Sequence, residues 1–167
     1  MFNYLSMRLR RSEWLRSFMK RRQKASRINV HEEIGQLVPD KSFVDIGTMW
    51  AVNGAYAFDA EKKGAAKVTA VDIYPASPEF KTRVEQEASK IRFVQGDMNA
   101  ESTVKEIGKH QIVFCKGVLY HQPNPLHFLQ QLRAICSETL IIGTASIPEV
   151  QGLSNSAIFY PHLDSKQ

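Results

Sequence analysis

The chain has 167 residues, of which 43% are hydrophobic and 23% charged, with two cysteines and a net charge of +5. This length suits one globular domain, and the composition excludes a disordered, fibrous or disulfide-stapled protein. No apolar run reaches the ~20 residues of a membrane span, and the five histidines have no ligand spacing, so we expect neither a membrane span nor a metal site.

The first 28 residues are predicted to form a basic, helical arm. They hold nine basic side chains against the single acid Glu13, namely Arg8, Arg10, Arg11, Arg16, Lys20, Arg21, Arg22, Lys24 and Arg27. A basic arm favours a polyanionic partner, such as nucleic acid or an anionic membrane surface, contacted through residues 8–27. Two alternatives stay open, a solvated or capping helix and a mitochondrial presequence. The low cysteine content otherwise favours a reducing compartment, and we expect the cytoplasm.

From residue 29 onward, segments with strand and helix patterns alternate. The predicted strands are 42–47, 67–73, 91–94, 112–117 and 139–143, and the predicted helices begin after N-cap residues or turns at 30, 52, 78, 102 and 125. Such alternation implies βαβ crossovers. We therefore predict an α/β, Rossmann-like, doubly wound and mainly parallel sheet of about five strands with helices on both faces. Residues 29–150 would be the ligand-binding domain and 151–167 an irregular tail.

Polar residues and glycines follow the strands at their carboxyl ends, where an open parallel sheet binds its ligand. The candidates are Asp45, Gly47 and Thr48 after the first strand, Asp72 and Ile73 after the second, Gly96, Asp97 and Met98 after the third, and Gly117, Val118, Tyr120 and His121 after the fourth. An acid in the position of Asp72 can accept hydrogen bonds from both ribose hydroxyls of a nucleoside. These loops are therefore predicted to meet around one ligand.

The first turn is poor in glycine, because Met49, Trp50 and Ala51 follow Thr48. A pyrophosphate needs several glycines and a helix N-terminus directed at the phosphates. This turn therefore disfavours an NAD-dependent oxidoreductase and favours a cofactor with an amino-acid tail, held by Asp45 and the backbone.

Four segments, in their order along the chain, resemble the class I S-adenosylmethionine-dependent methyltransferases over about residues 30–150. They are VDIG, VTAVDI, RFVQGDM and GVLYHQPNPLHFLQQLR. The last segment is similar to the branch that contains the bacterial tRNA wobble-uridine carboxymethyltransferases and related small-molecule and sugar methyltransferases. The resemblance implies S-adenosylmethionine as cofactor and tRNA or a small molecule as methyl acceptor. It also implies C-terminal strands that we expect to be missing beyond about Leu163.

The resemblance also implies roles for individual positions. Asp45 and Gly47 would face the methionine part, Asp72 the ribose, Asp97 and Met98 the adenine, and Gly117, Val118 and Tyr120 the methyl group; Thr48, Ile73 and Gly96 complete the predicted cofactor-binding set. Tyr120 or His121 would orient or remove the proton of an oxygen acceptor, although a packed aromatic ring and a hydrogen-bonded imidazole would explain them equally well. Trp50 and Tyr56 would wall the substrate cavity or belong to the core, Cys115 would be inert packing, and Lys116 would point to the end of the sheet and solvent. A second hypothesis is a noncatalytic module that binds S-adenosylmethionine or RNA.

Overall fold

The computed structural model describes residues 29–145. The predicted basic arm and the irregular tail therefore lie outside the described residues. Within these residues the five α-helices are α1 (Val30–Leu37), α2 (Ala55–Lys62), α3 (Pro78–Gln86), α4 (Glu101–Ile107) and α5 (Pro125–Ile135). The five strands are β1 (Ser42–Ile46), β2 (Lys67–Asp72), β3 (Arg92–Gln95), β4 (His110–Lys116) and β5 (Cys136–Gly143), and a short 3-10 helix (Leu119–His121) follows β4.

The five strands form one sheet in the order β3-β2-β1-β4-β5. Every neighbouring pair is parallel, with Phe43 of β1 in register with Val68 on one side and Ile112 on the other. The predicted α/β fold is confirmed. Chain order reverses at β1, because β2 and β4 flank it on opposite sides, and such a switch point opens a crevice at the carboxyl ends of the strands.

The sheet is buried on both faces, as the apolar strands require. On one face, Phe43 and Phe114 pack with Phe58 of α2 and with α1 and α3. On the other, alternate residues such as Val44 and Val113 pack with the helices α4 and α5. The alternation along each strand thus divides the core into two layers.

Local capping explains where the helices begin. The side chains of Asn29, Ser77 and Asn124 accept hydrogen bonds from backbone amides in the first turns of α1, α3 and α5, which satisfies donors that a helix start leaves unpaired. None of the helices within residues 29–145 is long and apolar enough to cross a membrane.

One helix start differs from the prediction. α2 begins at Ala55 rather than near residue 52, because Ala51 and Asn53 have positive φ angles of 59° and 44° and cannot continue a right-handed helix. Gly54 (φ 79°) then donates its amide to the carbonyl of Thr48 at 2.7 Å and closes the turn.

Candidate functional site

The candidate site lies at the carboxyl edge of the sheet, where the loops after β1, β2, β3 and β4 meet. Every predicted site residue lies in one of these loops or at the strand end before it. Parallel pairing of the four strands brings their carboxyl ends to one edge, so residues far apart in the chain surround the same crevice.

Asp72 ties the second loop to the first. Asp72 is only 6% exposed, so this acid at the end of β2 is buried rather than solvated. One carboxylate oxygen accepts a hydrogen bond of 2.7 Å from the amide of Met49, and the other accepts one of 2.9 Å from the amide of Tyr74. Each oxygen has a second lone pair, so the carboxylate organises both loops and keeps acceptors for a ligand.

Asp45 lies one residue before the end of β1 and is 2% exposed. Its carboxylate accepts a hydrogen bond of 2.7 Å from the hydroxyl of Thr48. Burial raises the pKa of Asp45 to about 7, and the hydrogen bond from Thr48 opposes this shift. A buried acid that titrates near neutrality can change its charge when a cation approaches.

Gly47 joins the first loop to the fourth. Its φ of +83° suits glycine, and a Cβ atom there would lie 2.2 Å from Cγ2 of Val118. Its amide donates to the carbonyl of Val71 at 2.8 Å. The side chain of Val118 therefore lies so close to the backbone of residue 47 that only glycine fits there. The sequence analysis did not predict this contact.

The two bulky side chains of the first turn differ in their burial. Met49 is buried in the core, and its sulfur accepts a hydrogen bond of 3.4 Å from the amide of Ser77. Trp50 is 77% exposed, so its assignment to the core is wrong. It lies beside Tyr74, with 6.2 Å between ring centroids, and the neighbouring Ile73 is also exposed.

The third loop is braced by polar contacts. Asp97 is exposed and accepts hydrogen bonds from the backbone and side-chain amides of Asn99, and Asn99 in turn donates to Gln122 in the fourth loop at 2.9 Å. Gly96 lies against α4, since a Cβ atom there would be 2.5 Å from the hydroxyl of Thr103. The Met98 side chain is buried in the core.

The fourth loop carries the two predicted catalytic residues. Gly117 (φ +79°) donates its amide to the carbonyl of Gly143 at 2.8 Å. The hydroxyl of Tyr120 comes within 3.6 Å of the position that a Cβ atom of Gly117 would occupy. Tyr120 is half-exposed, and its ring centroid lies 4.3 Å from that of exposed His121. Both rings are therefore accessible at the edge of the crevice.

Lys116 and Tyr56 form a contact that the sequence interpretation missed. The ammonium of Lys116 does not simply extend into solvent but donates a hydrogen bond of 2.6 Å to the Tyr56 hydroxyl. Tyr56 also packs on Phe114, two residues before Lys116 on the same strand, with 4.8 Å between ring centroids. The alternation of β4 would have placed Lys116 on this face.

In the described part of the chain, the cysteines and the potential metal ligands do not form a further reactive centre. Burial, and then the charge of Asp45, raise the pKa of the Cys115 thiol to about 12, which agrees with inert packing. Within residues 29–145 no cluster of His, Cys, Asp and Glu could hold a metal ion. A shallow depression of about 510 Å³ lies at the C-terminal ends of α2 and α3, lined by Glu61, Lys62 and residues 87–90, away from the carboxyl edge.

Known structures share this fold. A methyltransferase described as putative from Bacillus halodurans matches with a TM-score of 0.59 and 20% identity, covering 74% of this chain and 54% of that protein. The N-methyltransferase NodS from Bradyrhizobium japonicum, solved with S-adenosyl-L-homocysteine, matches with a TM-score of 0.53 and 15% identity, over 67% and 58% of the two chains. An RNA methyltransferase described as putative from Pyrococcus horikoshii matches with a TM-score of 0.50 and 18% identity, over 65% and 54%.

The chain thus spans a little over half the length of these solved structures. No curated protein matches it. Residues 44–139, more than half of the chain, match the family model for a methyltransferase domain. These residues run from β1 into β5 and include every predicted site residue. The chain belongs to the family of methyltransferase domains.

Proposed function

We propose that this domain binds S-adenosylmethionine at the carboxyl edge of its sheet and transfers the methyl group to an acceptor. The observation that carries the proposal is the buried carboxylate of Asp72, which ends β2 and is held by the amides of Met49 and Tyr74. A fixed acid with spare lone pairs beside a crevice fits the two hydroxyls of a ribose.

The residues present fit this cofactor at its other parts as well. Gly47 and Thr48 offer backbone beside the methionine part, and buried Asp45 supplies a negative charge near its amino group when ionised. Asp97 is exposed and fixed by Asn99, so it suits a polar edge of adenine. Exposed Ile73 offers an apolar contact for a flat ring.

When bound, S-adenosylmethionine supplies a methyl group on a sulfonium that is already a good leaving group. The protein's task is then mainly alignment and exclusion of water. Gly117 and Val118 wall the methyl position, and the contact of Val118 with Gly47 fixes the wall relative to the first loop. Where the acceptor is an oxygen, Tyr120 or His121 orients or removes its proton.

The acceptor we propose is tRNA or a small molecule, in line with the similarity of the GVLYHQPNPLHFLQQLR segment to the tRNA wobble-uridine branch. The basic residues between 8 and 27 supply charge for a nucleic acid partner. His31, in the first turn of α1, stacks on Tyr56, whose hydroxyl lies 2.6 Å from the ammonium of Lys116 at the carboxyl end of β4, so α1 begins near the carboxyl edge.

The remaining divisions of the chain are proposals of the same kind. We assign residues 1–28 to a basic arm, 29–150 to the cofactor-binding domain and 151–167 to a tail. Cys115 and Cys136 are both buried free thiols, which supports a reducing, cytoplasmic compartment.

Calorimetry and transfer assays on one preparation test the proposal. We expect binding of S-adenosylmethionine and S-adenosyl-L-homocysteine and none of NAD, with labelled methyl transfer to a fraction from a screen of tRNA and metabolites. Mass spectrometry of ligand that copurifies with the protein gives an independent check. Binding without transfer to any fraction would favour the noncatalytic module, and binding of NAD alone would refute the proposal.

A further inference from the structure

Lys116 and Tyr56 present a pair of hydrogen-bond donors at the carboxyl edge. Lys116 is the last residue of β4 and is exposed. Its ammonium, 2.6 Å from the Tyr56 hydroxyl, uses one of three donors in that contact. The phenol accepts this bond and keeps its own proton to donate. Two charged N–H groups and one O–H group are thus available to a ligand.

The charge of Lys116 has no counterion among residues 29–145. The ion pairs in this part of the chain join other side chains, as where Lys63 meets Asp59 at 2.9 Å or Lys41 meets Glu138 at 2.6 Å. The partner of Lys116 is instead a neutral phenol, whose ring centroid lies 5.0 Å from the ammonium. A cation held next to neutral groups favours an anionic ligand.

Tyr56 is held in place by aromatic neighbours. Its ring contacts Phe114 on one side and stacks on His31, with 5.3 Å between ring centroids. His31 is itself fixed by Asp59, with 2.9 Å between Nδ1 and the carboxylate. The pair is therefore ordered before any ligand arrives, which reduces the entropy lost on binding.

The pair lies beside the proposed methyl position. Lys116 directly precedes Gly117 and Val118, the two residues assigned to the wall next to the methyl group. Tyr56 lies in the first turn of α2, close in sequence to the loop that begins at Gly47. A group bound by Lys116 and Tyr56 would therefore belong to the acceptor side of the crevice.

We infer that Lys116 and Tyr56 bind an oxyanion, a carboxylate or a phosphate, on the methyl acceptor, so that the acceptor is an anionic molecule. This assignment rests on the proposed function. The alternative is a purely structural role, in which the aliphatic stem of Lys116 covers Gly143. A Cβ atom on Gly143 would lie 2.7 Å from Cγ of Lys116.

Inorganic phosphate and acetate are the probes, titrated in separate arms into the ¹⁵N-labelled full chain with S-adenosyl-L-homocysteine present. We expect saturable changes in the chemical shifts of the Tyr56 and Gly117 amides. Lys116→Met should weaken binding by at least about tenfold and Tyr56→Phe by about threefold or more. Lys109→Met, an exposed lysine just before the other end of the same strand, should bind as the wild type does. The arm with tighter binding identifies the acceptor group as phosphate or carboxylate.

Two results overturn the inference: no saturable shift in the wild type with either anion, or equal affinity in Lys116→Met and the wild type. Tyr56→Phe retains the aromatic packing, so it tests the pair even where Lys116→Met fails to fold. Calorimetry with S-adenosyl-L-homocysteine on the same samples separates the two proposals. Intact cofactor binding with no anion binding refutes only the acceptor pair. Anion binding without cofactor binding refutes the proposed function and the acceptor assignment, leaving an anion site.

Discussion

The carboxylate of Asp72 accepts a hydrogen bond of 2.7 Å from the backbone amide of Met49. This bond joins the end of β2 to the glycine-poor turn after β1 and turns the Met49 side chain into the core, where it is buried. Met49 in this glycine-poor turn is therefore part of the core and leaves the ligand-binding edge to its neighbours.

Replacing Asp72 should affect both stability and cofactor binding. In Asp72→Ala the buried Met49 amide has no acceptor, which should lower the free energy of unfolding by about 1 to 3 kcal/mol. Loss of the proposed ribose contacts should also weaken S-adenosylmethionine binding by at least about tenfold. Urea unfolding and calorimetry measure the two effects.

Asp97→Ala is the matched control for stability, because Asp97 is exposed and its carboxylate accepts hydrogen bonds only from Asn99 within residues 29–145. We expect a smaller loss of stability for Asp97→Ala. If Asp72→Ala binds S-adenosylmethionine as tightly as the wild type does, the Asp72 carboxylate only holds the two loops together.

Stability should depend on pH through Asp45. Burial raises its pKa to about 7 from 3.8, so the folded protein prefers the protonated acid. The resulting stabilisation is full below about pH 4 and is lost as pH rises through about 7. Relative to Asp45→Asn, the wild type should therefore lose on the order of a few kcal/mol between about pH 4 and about pH 8. Urea unfolding of both proteins across this range measures the difference between their free energies of unfolding. The contributions of other titrating groups cancel in this difference. Parallel plots of the free energy of unfolding against pH would contradict the prediction.

The basic arm should make nucleic acid binding sensitive to salt. Its arginines and lysines would neutralise phosphates and release counterions, so affinity for tRNA should fall steeply with added salt. A chain that begins near residue 28 should retain S-adenosylmethionine binding, since every proposed cofactor contact lies downstream, and should lose most tRNA affinity. An unchanged thermal midpoint is the control for folding. Equal tRNA affinity at low salt would favour a small-molecule acceptor.

Local signals in the sequence predict the fold well and the contacts within the site poorly. The caps at Asn29 and Ser77 and the apolar alternation of the strands depend on neighbours in the chain, so these elements could be placed from residue types. The direction of Met49 depends on Asp72 across the sheet. The Lys116 contact depends on how α2 packs on β4, and no short-range pattern encodes that packing.

The contact between Gly47 and Val118 provides the last prediction. Gly47→Ala should be destabilised by about 1 to 2 kcal/mol from its left-handed backbone and by about 1 to 3 kcal/mol more from overlap with Val118. Gly64→Ala is the matched control, because Gly64 has a φ of +88° with no atom near the position of a Cβ, so only the backbone contribution should appear.

Adding Val118→Ala to Gly47→Ala should recover most of the overlap contribution, so that the double variant is more stable than the sum of the single effects predicts. Urea unfolding of the four proteins in this cycle measures the coupling. Since the contact fixes the first loop against the wall of the proposed methyl position, Gly47→Ala should also weaken S-adenosyl-L-homocysteine binding, whereas Gly64→Ala should leave it unchanged. Additive effects within about 0.5 kcal/mol would mean that the two loops are not held together by this contact, and that another interaction sets the width of the crevice.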